Sequence, residues 1–330
     1  MPSQQKAIVI ESRGNARLVS DAPIPRLRDD YILVKNVAVA INPTDWQHID
    51  GEGQPGATVG CDYAGTVMDV GIKVTKLFAK GDRVCGFIHG SNGDNHEDGA
   101  FAEYVTAKGD LQIPIPHGVS FEQAATLGVG ITTVGQALYQ SLKLPLPTQP
   151  AEHPLPLLIY GGSTATGTLA VQFAKLQSLG ADEAFDYKDS ACGSKIREYT
   201  ADKLKHAMDT ISIEASAKTC ADALSTAGGI YSALEPIDSP RKDIESKSTL
   251  AYTATGQALT DYGRPASKED FEFSVMFWKL AGKLLEQGKL KVHPPSVRSN
   301  GLKGILEGLQ EMREGKVSGE KFVYKIAETP

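Results

Sequence analysis

The sequence predicts an α/β protein of two domains, and three observations carry the prediction. Short strand-like runs separated by Gly and Asp turns fill the first 115 residues. A strand, a Gly-rich turn and a helix follow one another from Leu157 to Leu176. Beyond them strand-like and helix-like stretches alternate, as in a parallel sheet covered by helices. At 330 residues the chain exceeds the roughly 100–200 residues of one domain, so two are expected.

After a short strand-like run at the N-terminus, Tyr31–Ile41 is rich in β-branched residues and reads as a strand, with Val34, Asn36, Ala38 and Ala40 on one face. Similar runs at Ala64–Val70, Arg83–Phe87 and Phe101–Val105 are bounded by turn signals such as Gly81-Asp82 and Asp98-Gly99. Phe121–Tyr139 then spaces its Ala, Leu and Val residues as a helix does, with Ser120 as its N-cap. Pro145, Pro147, Pro150, Pro154 and Pro156 forbid a further helix and make Leu144–Pro156 an extended surface linker. Leu157–Tyr160 is the strand before the Gly-rich turn, and the following helix ends near Leu176. Leu204–Met208 and Gly229–Ala233 supply further strands, separated by a helix around Ala215–Ala227. Helices from about Glu269 to Gln287 and from about Leu302 to Glu314 stop at Gly288 and Gly315, and Lys321–Ile326 is a last strand.

Thirty-four Lys and Arg against 40 Asp and Glu give a net charge of −6, without the basic excess that a phosphate backbone attracts, so nucleic-acid binding is not expected. No stretch reaches the roughly 18 apolar residues of a membrane span, and no targeting segment is recognised, which leaves the cytoplasm as the expected compartment. Cys61, Cys85, Cys192 and Cys220 lie far apart and form no C-x-x-C pair, so neither a zinc knuckle nor a disulfide framework is indicated.

The turn Gly161-Gly162-Ser163-Thr164-Ala165-Thr166-Gly167 aims backbone N–H groups and the positive end of a helix at one spot, which suits a pyrophosphate. It departs from the strict G-x-G-x-x-G spacing and equally fits a plain tight turn. Cys61 and Asp62 lack the correctly spaced His or further Cys that a metal requires, and Asp62 is expected to hold a turn. His48, His89, His96 and His117 fall on expected loops as solvated or structurally bonded residues, with no catalytic role.

Upstream, Gly60-Cys61-Asp62-Tyr63-Ala64-Gly65-Thr66-Val67, Asp69-Val70-Gly71, Gly81-Asp82-Arg83-Val84 and Gly99-Ala100-Phe101-Ala102-Glu103-Tyr104-Val105 occur in an order that resembles the medium-chain dehydrogenase/reductases. The resemblance continues through Ala124-Ala125-Thr126-Leu127, Leu179-Gly180-Ala181-Asp182 and Gly319-Glu320-Lys321. It implies a GroES-like β-rich substrate domain over 1–118, a Rossmann-type doubly wound NADP-binding domain over 119–265, and a segment over 266–330 returning to the first domain. Zinc-dependent members carry a Cys near Asn42 and Gly-His-Glu at Gly60-Cys61-Asp62, and their four-Cys lobe has no counterpart, so no metal is expected.

Within the zinc-free branch, Ile41-Asn42-Pro43-Thr44-Asp45-Trp46, the turn at 160–167 and Gly315-Lys316-Val317-Ser318-Gly319-Glu320-Lys321 look like the fungal trans-acting enoyl reductases of polyketide biosynthesis. The resemblance implies NADPH-dependent reduction of an α,β-unsaturated thioester held on the acyl carrier of an iterative polyketide synthase or polyketide–peptide hybrid, by a monomer. Hydride goes to the β-carbon, and the resulting enolate takes a proton at the α-carbon. Carried over by position, Thr44, Asp45, Trp46 and Gln47 lie near the nicotinamide, and Ser163, Thr164, Ala165 and Thr166 at the pyrophosphate. Tyr187 points toward the adenosine phosphate, and Leu234, Glu235, Val317 and Ser318 complete the cofactor set. Ala125-Thr126-Leu127-Gly128-Val129-Gly130-Ile131-Thr132 and Thr255-Gly256-Gln257-Ala258-Leu259 form the substrate wall. Ala125–Thr132 equally reads as the start of a packed helix, and Trp46 as a core aromatic. Gln47 stands where relatives often have Lys, which removes a cation from the cofactor or the developing enolate. No residue is assigned as proton donor.

One stretch departs from the family. After Leu176 the chain runs directly into Gln177-Ser178-Leu179-Gly180-Ala181-Asp182, which in relatives precedes the strand Glu183–Tyr187. Roughly 20 residues are absent, about one strand and one helix, with the loop that grips the 2′-phosphate of NADPH. The domain should be weakened, because neighbouring strands keep unpaired backbone groups. Two explanations compete, an incompletely predicted or spliced product of an active gene and a real variant with impaired cofactor binding; the intact flanking motifs favour the first. Two further readings stand beside the reductase: a free-standing quinone or enone oxidoreductase, and a cofactor-impaired docking protein.

Overall fold

The computed structural model describes residues 2–51, 53–149, 152–153, 155–175 and 182–330. The end of the helix at Leu176, the motif Leu179-Gly180-Ala181, and Pro150 and Pro154 of the linker lie outside the described residues. The chain divides into two compact units, one of residues 1–132 and 252–330, the other of residues 133–251. The first therefore includes residues 119–132 and 252–265, which the sequence motifs group with the second domain.

The first unit begins with an antiparallel hairpin of β1 (Gln4–Ser12) and β2 (Asn15–Pro23). Its main sheet is built around β3 (Tyr31–Ala40), with β4 (Asp62–Val70), β5 (Arg83–Phe87), β6 (Tyr104–Lys108) and β7 (Gln112–Pro114). A helix α1 (Pro43–Asp50) follows β3. The strand expected at Phe101–Val105 starts three residues later. β3 is buried on both faces, with only Lys35 exposed. Buried Asn36 is satisfied by donating to the carbonyls of Ala100 (2.7 Å) and Ala102 (2.8 Å).

The helix expected over Phe121–Tyr139 is broken. Ser120 caps α2 (Phe121–Ala124) by accepting from the Gln123 amide at 3.2 Å, as expected. Ala125–Leu127 then turns, and α3 (Gly128–Gly135) starts afresh, followed by a π-helical turn at Gln136–Ser141. The break has a cause on another strand. Asp62 Oδ1, at the start of β4, accepts from the Val129 amide at 2.6 Å, and a Cβ on Gly128 would lie 2.4 Å from that oxygen.

In the second unit β8 (Leu157–Tyr160), β9 (His206–Asp209), β10 (Gly229–Ala233) and β11 (Ile244–Ser248) form a parallel sheet in chain order. Helices α4 (Ala165–Lys175), α5 (Cys192–Tyr199) and α6 (Glu214–Ala223) lie between the strands, and α5 falls in a stretch for which the sequence pattern predicts no element. The core of this unit gathers Ile196, Leu204, Ala217, Leu224 and Tyr231.

Glu183–Tyr187 is not a strand. Residues 182–186 are irregular and Tyr187 begins a turn. In a doubly wound sheet this stretch would pair with the strand that follows the phosphate-turn helix, and that strand is the one the sequence lacks. Among the described residues β8 pairs only with β9, and its four residues are all half-exposed, whereas Ala207 and Met208 of β9 are buried. Among the described residues the parallel sheet of the second unit ends on β8 with no further strand along it.

The C-terminal part belongs to the first unit. The helices α7 (Lys268–Glu286) and α8 (Gly301–Arg313) lie within a residue or two of their expected bounds. The strands β12 (Pro295–Arg298) and β13 (Lys321–Lys325) join the main sheet, with β13 antiparallel to β3 in the register Val323↔Ala40 and Lys325↔Ala38. That register sets Lys321 beside Asn42, 279 positions away in sequence.

Candidate functional site

In the second unit the site residues gather at the carboxyl ends of successive parallel strands, where doubly wound sheets bind ligands. Beyond β8, Thr164 is the N-cap of α4, its Oγ1 accepting from the Gly167 amide at 2.9 Å. With the Thr168 amide on the Thr164 carbonyl (2.9 Å), the amides of Ala165 and Thr166 sit in the first turn at the positive helix end. Ser163 is exposed beside them. A Cβ on Gly167 would come within 2.2 Å of the Gly161 carbonyl, so only glycine lets the turn close this tightly. The result is a cradle of backbone N–H groups, which fits a dinucleotide pyrophosphate.

The loop after β9 is fastened to this cradle. Thr210 donates to the Tyr160 carbonyl (2.9 Å), with Thr164 Oγ1 at 3.0 Å. Buried Asp209 accepts from the amides of Ile211 and Ser212 and from the Tyr231 hydroxyl (2.8 Å). Ser212 in turn accepts from the Leu234 amide at 2.7 Å, which fixes Leu234 and exposed Glu235 at the end of β10. Tyr187 is 64% exposed, its ring 6.4 Å from that of Tyr160. The Lys188 ammonium lies 6.0 Å from the Tyr187 ring centre. Lys188, a cation beside Tyr187, is not among the residues the sequence motifs single out.

In the first unit the first turns of α1 hold Thr44, Asp45, Trp46 and Gln47. Pro43 opens the helix, and Asp45 Oδ2 accepts from the Asn42 amide at 2.6 Å. Asp45 is buried, and burial pushes its carboxyl up to about 8, helped by the charge of Asp62 and opposed by the Asn42 amide. It is therefore mostly protonated at neutral pH. A carboxyl raised on folding stabilises the protein below its unfolded value of 3.8, and that contribution is lost as pH rises through about 8. His89, buried and lowered to about 3, acts in the opposite sense: its contribution is present above 6.5 and lost as pH falls. Between pH 6.5 and 9 the urea midpoint should thus fall more steeply for the wild type than for Asp45→Asn. Parallel slopes would show that the carboxyl is already ionised. Trp46 packs half-buried against the core, with the Arg313 guanidinium 6.0 Å from its ring, and Gln47 is half-buried.

His48 is not on a loop. It lies in α1, buried, and both ring nitrogens are engaged. Nδ1 is 2.6 Å from the Thr44 carbonyl, which only accepts, so Nδ1 carries the proton and Nε2 accepts from the Tyr262 hydroxyl at 2.6 Å. Thr44 Oγ1 lies 3.2 Å from His48 Nδ1 and 2.7 Å from the Tyr252 hydroxyl. Tyr252 is buried, stacks on His89 at 4.0 Å between ring centres, and reaches Cys61 Sγ at 3.6 Å. Burial holds the Cys61 thiol well above its usual range, so it stays protonated. Sequence reasoning missed Tyr252 and Tyr262, which lie some 200 residues from Thr44 and share no motif with it.

Beside this network lies a buried ion pair. The Lys321 ammonium donates to Asp62, to Asn42 Oδ1 (2.8 Å) and to the Thr126 carbonyl (3.4 Å), and both charged residues are almost fully buried. A lysine thus lies among the positions where zinc-dependent members carry metal ligands. Among the described residues no group of three or more His, Cys, Asp or Glu could hold a metal ion. Asp62 does hold a turn, the one that starts α3.

Of the expected substrate wall, Ala125, Thr126, Leu127, Gly128, Gly130, Ile131 and Thr132 are buried, and Val129 alone is half-exposed. Thr132 accepts from the Trp278 indole at 3.1 Å. Packing thus accounts for most of this stretch. Thr255 and Leu259 are buried, Gly256 and Gln257 half-exposed and Ala258 exposed; Gln257 accepts from the Tyr31 hydroxyl at 3.2 Å. Val317 packs on the core and Ser318 is exposed.

A β-rich unit, a parallel sheet with a phosphate-type turn, and a C-terminal strand returning to the first sheet define a medium-chain dehydrogenase/reductase. Residues 28–117 match the alcohol dehydrogenase GroES-like domain. The chain is 49% identical over 341 residues to a trans-enoyl reductase of Alternaria alternata, covering 98% of this chain and 99% of the relative. It is 57% identical over 273 residues to a trans-enoyl reductase of Cochliobolus carbonum, covering 78% and 92%. It therefore belongs to the trans-enoyl reductase family. Its fold is similar to that of the CurK enoyl reductase, with a TM-score of 0.75 at 19% identity over 98% of this chain and 99% of that one. The Alternaria alignment spans more positions than the 330 residues of this chain, so that relative has residues with no counterpart here. Among the described residues no helix is long and apolar enough to cross a membrane.

Proposed function

We propose that the chain reduces α,β-unsaturated acyl thioesters presented on the acyl carrier of a partner polyketide synthase or polyketide–peptide hybrid, using NADPH, as a cytosolic monomer. The observation that carries this reading is the near-full-length identity to a trans-enoyl reductase, in a chain that keeps a phosphate cradle at α4. The nicotinamide supplies hydride to the β-carbon when bound. The chain's own residues do the rest. Ala165 and Thr166 offer amides to the pyrophosphate, Leu234 and Glu235 border the crevice at the end of β10, and Tyr187 with Lys188 meets the adenosine phosphate. Thr44 and Gln47 flank the reacting carbons, and Val317 and Ser318 extend that wall. Gln47 is neutral where relatives often carry Lys, so catalysis leans on positioning in a dry cleft more than on a charge held near the enolate.

The edge of β8, along which no further strand lies among the described residues, favours a second reading, a docking protein with impaired cofactor binding. Titration with NADPH and NADH, followed by nicotinamide fluorescence, separates the two. Saturable NADPH binding tighter than NADH binding, with NADPH oxidation by a carrier-bound enoyl thioester, supports the reductase. Carrier binding without NADPH binding supports the docking protein, and reduction of a free quinone with no synthase present supports a free-standing oxidoreductase.

A further inference from the structure

A cavity of about 130 Å³ lies within the first unit, and none of the residues that line it is among those expected to hold cofactor or substrate. Its walls are residues 14–16 in the turn between β1 and β2, Ile49 of α1, and Leu306, Leu309 and Arg313 of α8. The last three are spaced by three and four positions, so they share one face of α8, which packs on α1, β1 and β2. The Gly14 amide donates to the Ile49 carbonyl at 2.7 Å and ties the turn to the end of α1. Ile49 and Leu309 are buried and Leu306 is half-buried, so the inner wall is apolar.

One charge interrupts that wall. The Arg313 guanidinium donates from Nε and Nη2 to the Asp50 carboxylate at 2.9 and 2.8 Å, a fork that uses one edge of the group. The N–H groups of Nη1 have no hydrogen-bond partner among the described residues. Arg13 Nε donates to the Asp50 carbonyl at 2.8 Å, so two guanidiniums lie beside one carboxylate and the local balance is positive.

We propose that this cavity binds a short aliphatic monocarboxylate, with its carboxylate on Arg313 Nη1 and its chain against Ile49, Leu306 and Leu309. Volume sets the size of the ligand. At about 30 Å³ per water the space equals about four waters, which suits an acid of about four carbons and falls well below the roughly 300–1,000 Å³ of a drug-sized or cofactor pocket. Charge sets its class. One free guanidinium edge matches one anionic group, and the apolar wall gains from a hydrocarbon chain. Inorganic phosphate has no chain to bury and calls for more than one charge-assisted donor, so it fits poorly. The inference does not rest on the reductase reading, because the site is separate and binding is measured without turnover.

The test is calorimetric titration of the full chain with sodium butyrate, beside inorganic phosphate and butyramide, the uncharged analogue. Trp46, one turn before Asp50 with the Arg313 guanidinium 6.0 Å from its ring, adds a fluorescence readout. A ligand this small should bind with a Kd of about 1 mM. Butyramide and phosphate should bind at least about tenfold more weakly. Two variants separate the halves of the site. Arg313→Gln removes the cation, while Leu306→Phe fills the cavity and keeps the guanidinium; each should weaken butyrate binding at least about tenfold. Both side chains are half-buried, so the fold survives either change. No saturation by about 50 mM butyrate overturns the site. Butyrate binding that survives Leu306→Phe also overturns it, because the anion then sits on the outer surface of Arg313. Phosphate binding as tightly as butyrate overturns the assignment to a carboxylate.

Discussion

Lys321→Met should destabilise the first unit by about 3–5 kcal/mol, the usual cost of leaving one partner of a buried ion pair alone. The ammonium joins the start of β13 to Asn42 at the head of α1, to Asp62 at the head of β4, and to the Thr126 carbonyl before α3. Methionine fills the same space but leaves Asp62, at 0% exposure, as a buried anion with only the Val129 amide to stabilise it. Against a total stability of about 5–15 kcal/mol this is a large fraction. Both tryptophans, Trp46 and Trp278, belong to the first unit, so urea unfolding followed by their fluorescence reads this unit alone. The double variant Lys321→Met with Asp62→Asn keeps an acceptor for Val129 and should regain much of the loss. A single-variant cost below about 1 kcal/mol would mean that the pair contributes little beyond what water would supply to the separate charges.

The same junction shows which parts of the structure were readable in advance. Strands such as Arg83–Phe87 and Gly229–Ala233, and the helices ending at Gly288 and Gly315, follow from local pattern and turn residues, and they occur where expected. The break at Ala125–Leu127 does not, because it depends on Asp62, a carboxylate 67 positions away that takes the Val129 amide. His48 has the same lesson for the site: periodicity does not reveal that Tyr262 and Thr44 bracket its ring. The phosphate turn, by contrast, is a local device, and its glycines and hydroxyls announced it. The failed strand at Glu183–Tyr187 is of a third kind. Its residues suit a strand, but a strand forms only against a partner, and the partner's sequence is missing.

That absence leads to the second large effect. Inserting a family-like strand and helix between Lys175 and Asp182 should tighten NADPH binding by about a hundredfold while changing NADH binding far less. Two causes act together. A strand laid along β8 would pair the edge that has no further strand among the described residues, cover Leu157, Leu158, Ile159 and Tyr160, which are all half-exposed, and give residues 183–187 a strand to pair with. The loop after that strand is also where doubly wound folds place the residue that reads the adenosine ribose. On the proposed reading Tyr187 and Lys188 meet that phosphate, one phenol and one ammonium 6.0 Å from its ring, where a phosphomonoester is best held by two or more charge-assisted hydrogen bonds. Each further bond of that kind contributes about 1.5–3 kcal/mol, so one or two account for the hundredfold. NADH carries no 2′-phosphate and gains only from the firmer sheet, which makes the ratio of the two affinities the informative quantity. If both nucleotides tighten equally, the inserted segment acts by completing the sheet and the phosphate is read elsewhere. If neither changes, β8 already binds as an edge strand, and the shortened unit is a working nucleotide domain in its own right.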